Sequence, residues 1–237
     1  MKIFNNKVIR YTYLGWLVIA LFYLYQYILR SFPGVMIDEI RSTFRITAEQ
    51  FATLGSLTIV AYALLQIPFG ILVDRIGVKK MCAYSVVICL LGPLMFAITQ
   101  VFWEAQLARF IIGIGSASAF MCALKFIADH IPPGRRGFLM GATLALGTVG
   151  AIMTGHSAKF VSEGTSWQSI LLLSIVIGVV ILIAIFLVLQ NNHNDSFTVL
   201  NHKPWQEVLS DVLKILTSKN ILIYAILAIG LYTPLSA

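Results

Sequence analysis

Residues 21–36 read LFYLYQYILRSFPGVM, an apolar and aromatic run that contains a single permanent cation, Arg30, three residues before Pro33. An arginine guanidinium presents a planar fork of N–H donors, which binds a carboxylate or a phosphate through two parallel hydrogen bonds. An unpaired arginine in hydrocarbon costs about 2.5 to 3.5 kcal/mol on insertion scales and about 10 kcal/mol or more in simulations. Three interpretations follow: Arg30 binds an anionic ligand, pairs with Asp38 or Glu39, or extends its long side chain to a polar interface.

The composition places this cation in a membrane protein. The chain has 237 residues, of which 59% are hydrophobic and 11% are charged, whereas a soluble domain has about 25% charged residues. Several continuous apolar windows are long enough to cross about 30 Å of hydrocarbon as helices, and their lack of alternation argues against a β-barrel. We therefore predict an all-α membrane protein, in which the fourth window qualifies only if protein shelters Arg109. The predicted spans lie at about residues 12–37, 49–72, 81–101, 104–128, 138–160 and 168–190.

Short connections separate these six spans, and a long polar stretch follows them. We predict a six-helix amino-terminal bundle at 1–190, a cytoplasmic linker at 191–219 and a truncated seventh span at 220–237. Apolar residues recur at helical spacing between about 205 and 217, which is typical of an amphipathic helix on a membrane surface. No polar flank follows the seventh span, so we expect the sequence to be a fragment of a longer chain.

The formal net charge of +7 is distributed unevenly. Lysines and arginines of the amino terminus and of the connections after spans two, four and six outnumber those of the opposite connections by eleven to three. This bias indicates an inner-membrane protein with a cytoplasmic amino terminus, rather than a nucleic-acid-binding protein. The eleven are Lys2, Lys7, Arg10, Arg75, Lys79, Lys80, Arg135, Arg136, Lys203, Lys214 and Lys219, and the three are Arg41, Arg45 and Lys159.

The stretch GILVDRIGVKK, residues 70–80, connects the second and third spans. Gly70 permits a close helix contact and Gly77 a tight turn, while the carboxylate of Asp74 can bind cations or helix N-termini of a neighbouring bundle. The stretch resembles the cytoplasmic signature G-x-x-x-D-R-x-G-x-[RK]-[RK] of the major facilitator superfamily of secondary transporters. The resemblance implies a role in gating for the matching residues, which are Gly70, Asp74, Arg75, Gly77, Lys79 and Lys80.

The fourth span supplies a second match in LARFIIGIGSASAF. Arg109, Gly113 and Gly115 resemble the signature R-x-x-x-G-x-G of the fourth helix in that superfamily. The glycines predict close helix packing, since small residues let helix backbones approach each other in lipid. For Arg109 two interpretations remain, a buried structural pairing or a direct part in proton or substrate coupling.

The fifth span places Gly147, Ala151 and Gly155 four residues apart, which predicts a small-residue packing stripe. Drug and proton antiporters of the superfamily usually have a Gly-Pro pair in this helix. The span contains no proline, which disfavours drug export.

Lys125 and Asp129 lie four residues apart near the cytoplasmic end of the fourth span. This spacing favours an ion pair along one helix, with the lysine extended toward the interface. The alternative is that Lys125 lines a cavity as a second cation.

Major facilitator proteins consist of two six-helix halves joined by a long cytoplasmic loop, and the resemblance covers essentially the whole chain. It implies that a substrate binds near the membrane midplane, between the halves, with helices one and four among its walls. The candidate lining residues are Arg30, Tyr25, Gln26, Tyr27, Tyr62, Gln66 and Lys125.

The segment YQYILRSFPGVM also resembles the first helix of the organophosphate exchangers and anion:cation symporters of the superfamily. These place an arginine here to bind a phosphate or a carboxylate. The organophosphate exchangers add a basic residue on helix two, where this chain has Gln66, so the resemblance favours a carboxylate. A similar first helix occurs in nutrient and siderophore carriers, which leaves a zwitterion or a metal-chelating carboxylate as alternatives.

No enzyme motif, nucleotide-binding loop or metal-ligand spacing occurs in the sequence, and Cys82, Cys89 and Cys122 stand singly within apolar windows. We therefore expect no enzyme activity and no cofactor. The predicted function is secondary active transport of a small organic anion, proton-coupled and by alternating access. Its expected partners are the lipid bilayer and a carboxy-terminal six-helix half. The alternatives are a nutrient, amino-acid or siderophore carrier, or a nonfunctional fragment.

Overall fold

A computed structural model describes residues 6–162, 164 and 166–190. Within these residues the chain is helical and contains no strand, and six helical stretches are long and apolar enough to cross a membrane. The predicted all-α membrane fold is confirmed. The helices are α1 (Asn6–Val35), α2 (Ile37–Phe44), α3 (Ala48–Ile76), α4 (Val78–Ile98), α5 (Phe102–Ser116), α6 (Ala119–His130), α7 (Pro133–Ser162) and α8 (Trp167–Val188).

The short helix α2 was not predicted. Its sequence, IDEIRSTF, is amphipathic and buries Ile40 completely against one end of the bundle. The indole Nε1 of Trp167 donates to the hydroxyl of Thr43 at 3.2 Å. The next helix, α3, begins with a capping box in which Thr47 and Gln50 exchange side-chain and backbone hydrogen bonds.

The fourth predicted span is divided into α5 and α6, which break at Ala117 and Ser118. At the break the N–H of Ala117 donates to the carbonyl of Ile114, three residues back, at 3.2 Å. The hydroxyl of Ser118 donates to the hydroxyl of Ser85 on α4 at 2.5 Å.

Glycines bring α5 close to its two neighbours. A Cβ added at Gly113 would overlap with the carbonyl oxygen of Thr58 on α3, and one at Gly115 would lie 2.7 Å from the amide nitrogen of Cys89 on α4. Only glycine fits such contacts, so the predicted packing role of Gly113 and Gly115 is confirmed. The three cysteines are buried and free, as expected for small core residues.

The largest cluster of buried apolar side chains lies between α1, α4, α6 and α8, and a second joins α2 to the adjacent ends of α4, α5 and α8. Three spans contain a proline inside a helix: Pro33 in α1, Pro68 in α3 and Pro93 in α4. The predicted linker at 191–219 and the seventh span at 220–237 lie outside the described residues.

Candidate functional site

Arg30 lies against two tyrosine rings. Its guanidinium carbon is 5.2 Å from the ring centre of Tyr27 on α1 and 4.6 Å from that of Tyr62 on α3. Both distances lie within the range of cation–π attraction, which is worth about 0.5 to 2 kcal/mol per pair. The structure thus brings together three of the predicted lining residues.

No carboxylate of the described residues lies within ion-pairing distance of the Arg30 guanidinium. The expected alternative of a pair with Asp38 or Glu39 is therefore wrong for this arrangement of the chain. Both acids lie in the first turn of α2. Arg30 itself is half-buried.

Tyr23, which was not among the predicted lining residues, extends this aromatic group. Its hydroxyl donates to the hydroxyl of Tyr27 at 3.3 Å, and the two ring centres are 5.0 Å apart. On its other side the Tyr23 ring lies 5.5 Å from that of Phe120 on α6. The spacing of four residues between Tyr23 and Tyr27 was the signal that could have identified the pair.

Helix α7 packs closely behind these tyrosines through glycine. A Cβ added at Gly147 would lie 2.6 Å from the Tyr23 ring and 3.0 Å from the Tyr27 ring, and one at Gly150 would lie 2.6 Å from the carbonyl oxygen of Leu24. Gly155 has no neighbour of this kind within 4 Å. The predicted stripe is therefore corrected: the contact is made by glycines three residues apart.

The other glutamine and tyrosine candidates differ in their burial. Gln26 is fully buried, and neither of its amide atoms has a hydrogen-bond partner among the described residues. Tyr25 is also fully buried and packs against Gly178 on α8. Gln66 is half-buried on α3, about one helical turn beyond Tyr62.

Arg109 is buried, with 2% of its surface exposed, and crosses between three helices. Its Nη1 donates to the carbonyl of Leu29 at 2.8 Å and its Nη2 to the carbonyl of Arg30 at 3.2 Å, both on α1. Its Nε donates to the carbonyl of Leu54 on α3 at 3.3 Å. Through these backbone carbonyls, Arg109 connects α5 to α1 and α3, which is a structural role.

Lys125 lies near the end of α3, whereas α2 precedes the start of that helix. Its Nζ lies 3.1 Å from a carboxylate oxygen of Asp74 at the end of α3 and 3.6 Å from one of Asp129 on its own helix. The pair with Asp129 was predicted, and the bridge to Asp74 was not. The ion pair with Asp74 joins the GILVDRIGVKK stretch to α6.

The remaining residues of that stretch have separate environments. Gly77 has a φ of 84° between α3 and α4, which agrees with the predicted tight turn. Lys79 donates to the carbonyl of Phe186 in the last turn of α8 at 3.1 Å, where a cation is favoured. Arg75 is half-buried and Lys80 exposed. A Cβ at Gly70 would meet no described atom within 4 Å, so the predicted close contact is not formed here.

These features define a multi-pass membrane protein with a polar, cation-bearing group between its first two spans. The sequence model of the Major Facilitator Superfamily matches residues 16–236. The chain belongs to this superfamily. Among the described residues, no group of three or more histidine, cysteine or acidic side chains could hold a metal ion.

Two curated relatives are named as transporters of organic anions. A probable L-galactonate transporter of Escherichia coli (strain K12) is 26% identical over 73% of this chain and 38% of its own length. A probable sulfoacetate transporter, SauU, of Cupriavidus necator is 27% identical over 75% of this chain and 41% of its own length. The chain thus spans less than half the length of these relatives.

A similar fold occurs in the inward-facing, unoccupied crystal structure of a bacterial homologue of the human lysosomal transporter Spinster. The TM-score is 0.69 at 23% sequence identity, over 76% of this chain and 43% of that one. This likeness agrees with the helical bundle described above.

Proposed function

We propose that this chain forms the amino-terminal half of a secondary transporter for small organic anions, with Arg30 as the principal anion-binding group. The observation that carries the proposal is the half-buried Arg30, whose guanidinium lies against Tyr27 and Tyr62 with no carboxylate of the described residues within ion-pairing distance. A fixed cation in an apolar bundle is costly unless an anion or water meets it. A substrate carboxylate would supply the missing negative charge.

The geometry favours a carboxylate as the group that is bound. The Arg30 guanidinium carbon lies over both tyrosine rings, and a guanidinium binds a planar carboxylate through paired hydrogen bonds from its coplanar N–H groups. The organophosphate exchangers, which this chain resembles, have a second basic residue on helix two. This chain has Gln66 there, which is half-buried and uncharged. Lys125 is held by two acids, so it is a weaker candidate for direct substrate contact.

Support also comes from the relatives, since galactonate and sulfoacetate are both carboxylates. Their transport is a property of those proteins, and we propose the same chemical class for this chain. Gln26, Tyr27 and Tyr62 would add hydrogen bonds to hydroxyl groups of the substrate. Gln26 would do so only after a rearrangement that exposes its buried amide.

We further propose that the substrate cavity is completed by a second six-helix bundle, and that the two bundles rock against each other to expose Arg30 to either side. The ion pair between Asp74 and Lys125 would hold α3 and α6 together in one of the two states. The transporter would lie in the inner membrane with its amino terminus in the cytoplasm, and a proton gradient would drive it.

The test is an uptake assay in bacterial cells that express the full-length protein. Labelled L-galactonate, sulfoacetate, glycerol 3-phosphate and an amino acid are supplied separately, with and without a protonophore. We expect uptake of at least one carboxylate, and loss of that uptake when the protonophore is present. Uptake of the amino acid or phosphate alone would contradict the proposal, and uptake that resists the protonophore would contradict proton coupling.

A further inference from the structure

The proline in α1 leaves one carbonyl group without its usual donor. In an α-helix the N–H of residue 33 would donate to the carbonyl of Leu29, but Pro33 has no N–H group. A backbone carbonyl in a membrane span must be paired inside the protein, because no water is available to it. Leu29 is itself 1% exposed, so its donor has to come from a neighbouring helix.

Arg109 supplies that donor. Its Nη1 lies 2.8 Å from the Leu29 carbonyl oxygen, the shortest of its three hydrogen bonds to described residues, and its Nη2 lies 3.2 Å from the carbonyl oxygen of Arg30. Both contacts fall in the turn of α1 that precedes Pro33. A charged donor makes a stronger bond to a carbonyl than a backbone N–H does.

Helix α5 is held in place for this contact. The hydroxyl of Thr58 on α3 donates to the backbone carbonyl of Arg109 at 3.0 Å. One turn later Gly113 lets α5 approach Thr58 more closely than any larger residue would allow. The backbone of Arg109 is therefore held in place, and its side chain extends from there to α1.

We propose that Arg109 is a positioning residue for the anion site, because it replaces the hydrogen bond that Pro33 removes and so fixes the turn of α1 that carries Arg30. The proposal rests on the role of Arg30 proposed above. It assigns Arg109 no contact with the substrate, which agrees with the 2% exposure of its side chain. It also accounts for a buried cation whose hydrogen-bond partners among the described residues are all backbone carbonyls.

The proposal makes Arg109 and Pro33 energetically coupled, which a double-mutant cycle can measure. The variants are Arg109→Lys, Pro33→Ala and both together, in the full-length protein. Pro33→Ala restores an N–H group to the chain at the position that bonds to the Leu29 carbonyl. Thr58→Val is the matched control, since it loosens α5 without touching that carbonyl.

The first measurement is hydrogen–deuterium exchange of the α1 peptide that contains residues 29–37, in purified protein. Arg109→Lys should speed exchange about tenfold in the native background, as expected for loss of one charged hydrogen bond, and less than about threefold in the Pro33→Ala background. Thr58→Val should have equal effects in both backgrounds. Equal effects of Arg109→Lys in both backgrounds, or none in either, would overturn the proposal. If Arg109→Lys does not fold, Pro33→Ala must restore the folded yield.

The second measurement is the KM for labelled L-galactonate, or for whichever carboxylate the uptake assay identifies. Arg109→Lys should raise the KM about tenfold through misplacement of Arg30, and Pro33→Ala should reverse most of that rise. If hydrogen exchange shows the coupling but uptake does not depend on Arg30, the proposed function is contradicted and the hydrogen bond between Arg109 and α1 keeps its structural role. Dependence of uptake on Arg30 without coupling would contradict the positioning role alone.

Discussion

The guanidinium carbon of Arg30 on α1 lies 4.6 Å from the centre of the Tyr62 ring on α3. This contact joins the first two spans through the cation that we assign to substrate binding. The attraction between the ring and the cation offsets part of the cost of a charge in the bundle.

Removal of the Tyr62 ring should weaken substrate binding. Tyr62→Leu loses a cation–π interaction worth about 0.5 to 2 kcal/mol, so the KM for the transported carboxylate should rise between about twofold and thirtyfold. Tyr62→Phe is the comparison, since it keeps the ring and loses only the hydroxyl, so it should raise the KM less than Tyr62→Leu. The measurement is initial uptake rate against substrate concentration. An equal rise in both variants would show that the hydroxyl, and not the ring, is what matters.

The bridge between Asp74 and Lys125 should affect the rate of transport more than substrate binding. Asp74→Asn removes the 3.1 Å ion pair between α3 and α6. An ion pair of this kind contributes about 1 kcal/mol, so its loss should lower the maximal uptake rate about fivefold. Lys125→Gln should have little further effect in the Asp74→Asn background.

Asp129→Asn is the comparison for this experiment, because its 3.6 Å pair with Lys125 lies within one helix. We expect a smaller loss of maximal rate. A loss as large as that of Asp74→Asn would contradict the gating role of the bridge between helices.

The contact between α1 and α7 should tolerate no side chain at Gly150. Gly150→Ala places a Cβ 2.6 Å from the carbonyl oxygen of Leu24, and overpacking of this kind costs about 1 to 3 kcal/mol. In Gly141→Ala, on the same helix, the new Cβ meets nothing within 4 Å. The higher helix propensity of alanine should then stabilise the protein by as much as about 1 kcal/mol. Thermal unfolding in detergent compares the two variants. Equal melting temperatures would show that this packing is wrong.

The charge bias predicts the orientation of the chain. A fluorescent protein fused to the amino terminus should fold in the cytoplasm, and alkaline phosphatase fused after Thr99, between α4 and α5, should be active outside it. The reverse pattern of activities would contradict a cytoplasmic amino terminus.

The spans were predictable because membrane crossing depends on continuous local apolarity, which composition alone reports. Helix α2 is too short for such a window, although Ile37, Ile40 and Phe44 follow helical spacing and Thr47 with Gln50 forms a capping box. The break at Ala117 lies in a run of small residues that any hydropathy average treats as continuous.

The candidate site was predictable in part. Arg30, Tyr27 and Tyr62 were selected by residue type and resemblance, and they lie together. The partners of Arg109 and the bridge between Lys125 and Asp74 depend on helix packing between distant segments, which local patterns do not encode. Pro33 was the one local signal, because a proline within a span requires a donor from elsewhere.

Arg30→Lys in the full-length protein tests the central claim most directly, since lysine keeps the charge and loses the planar fork of donors. Carboxylate uptake by cells that contain the variant at normal levels in the membrane is measured beside the native protein. We predict that uptake is abolished while the amount of inserted protein is unchanged. Uptake at the native rate would contradict the assignment of Arg30 as the anion-binding group.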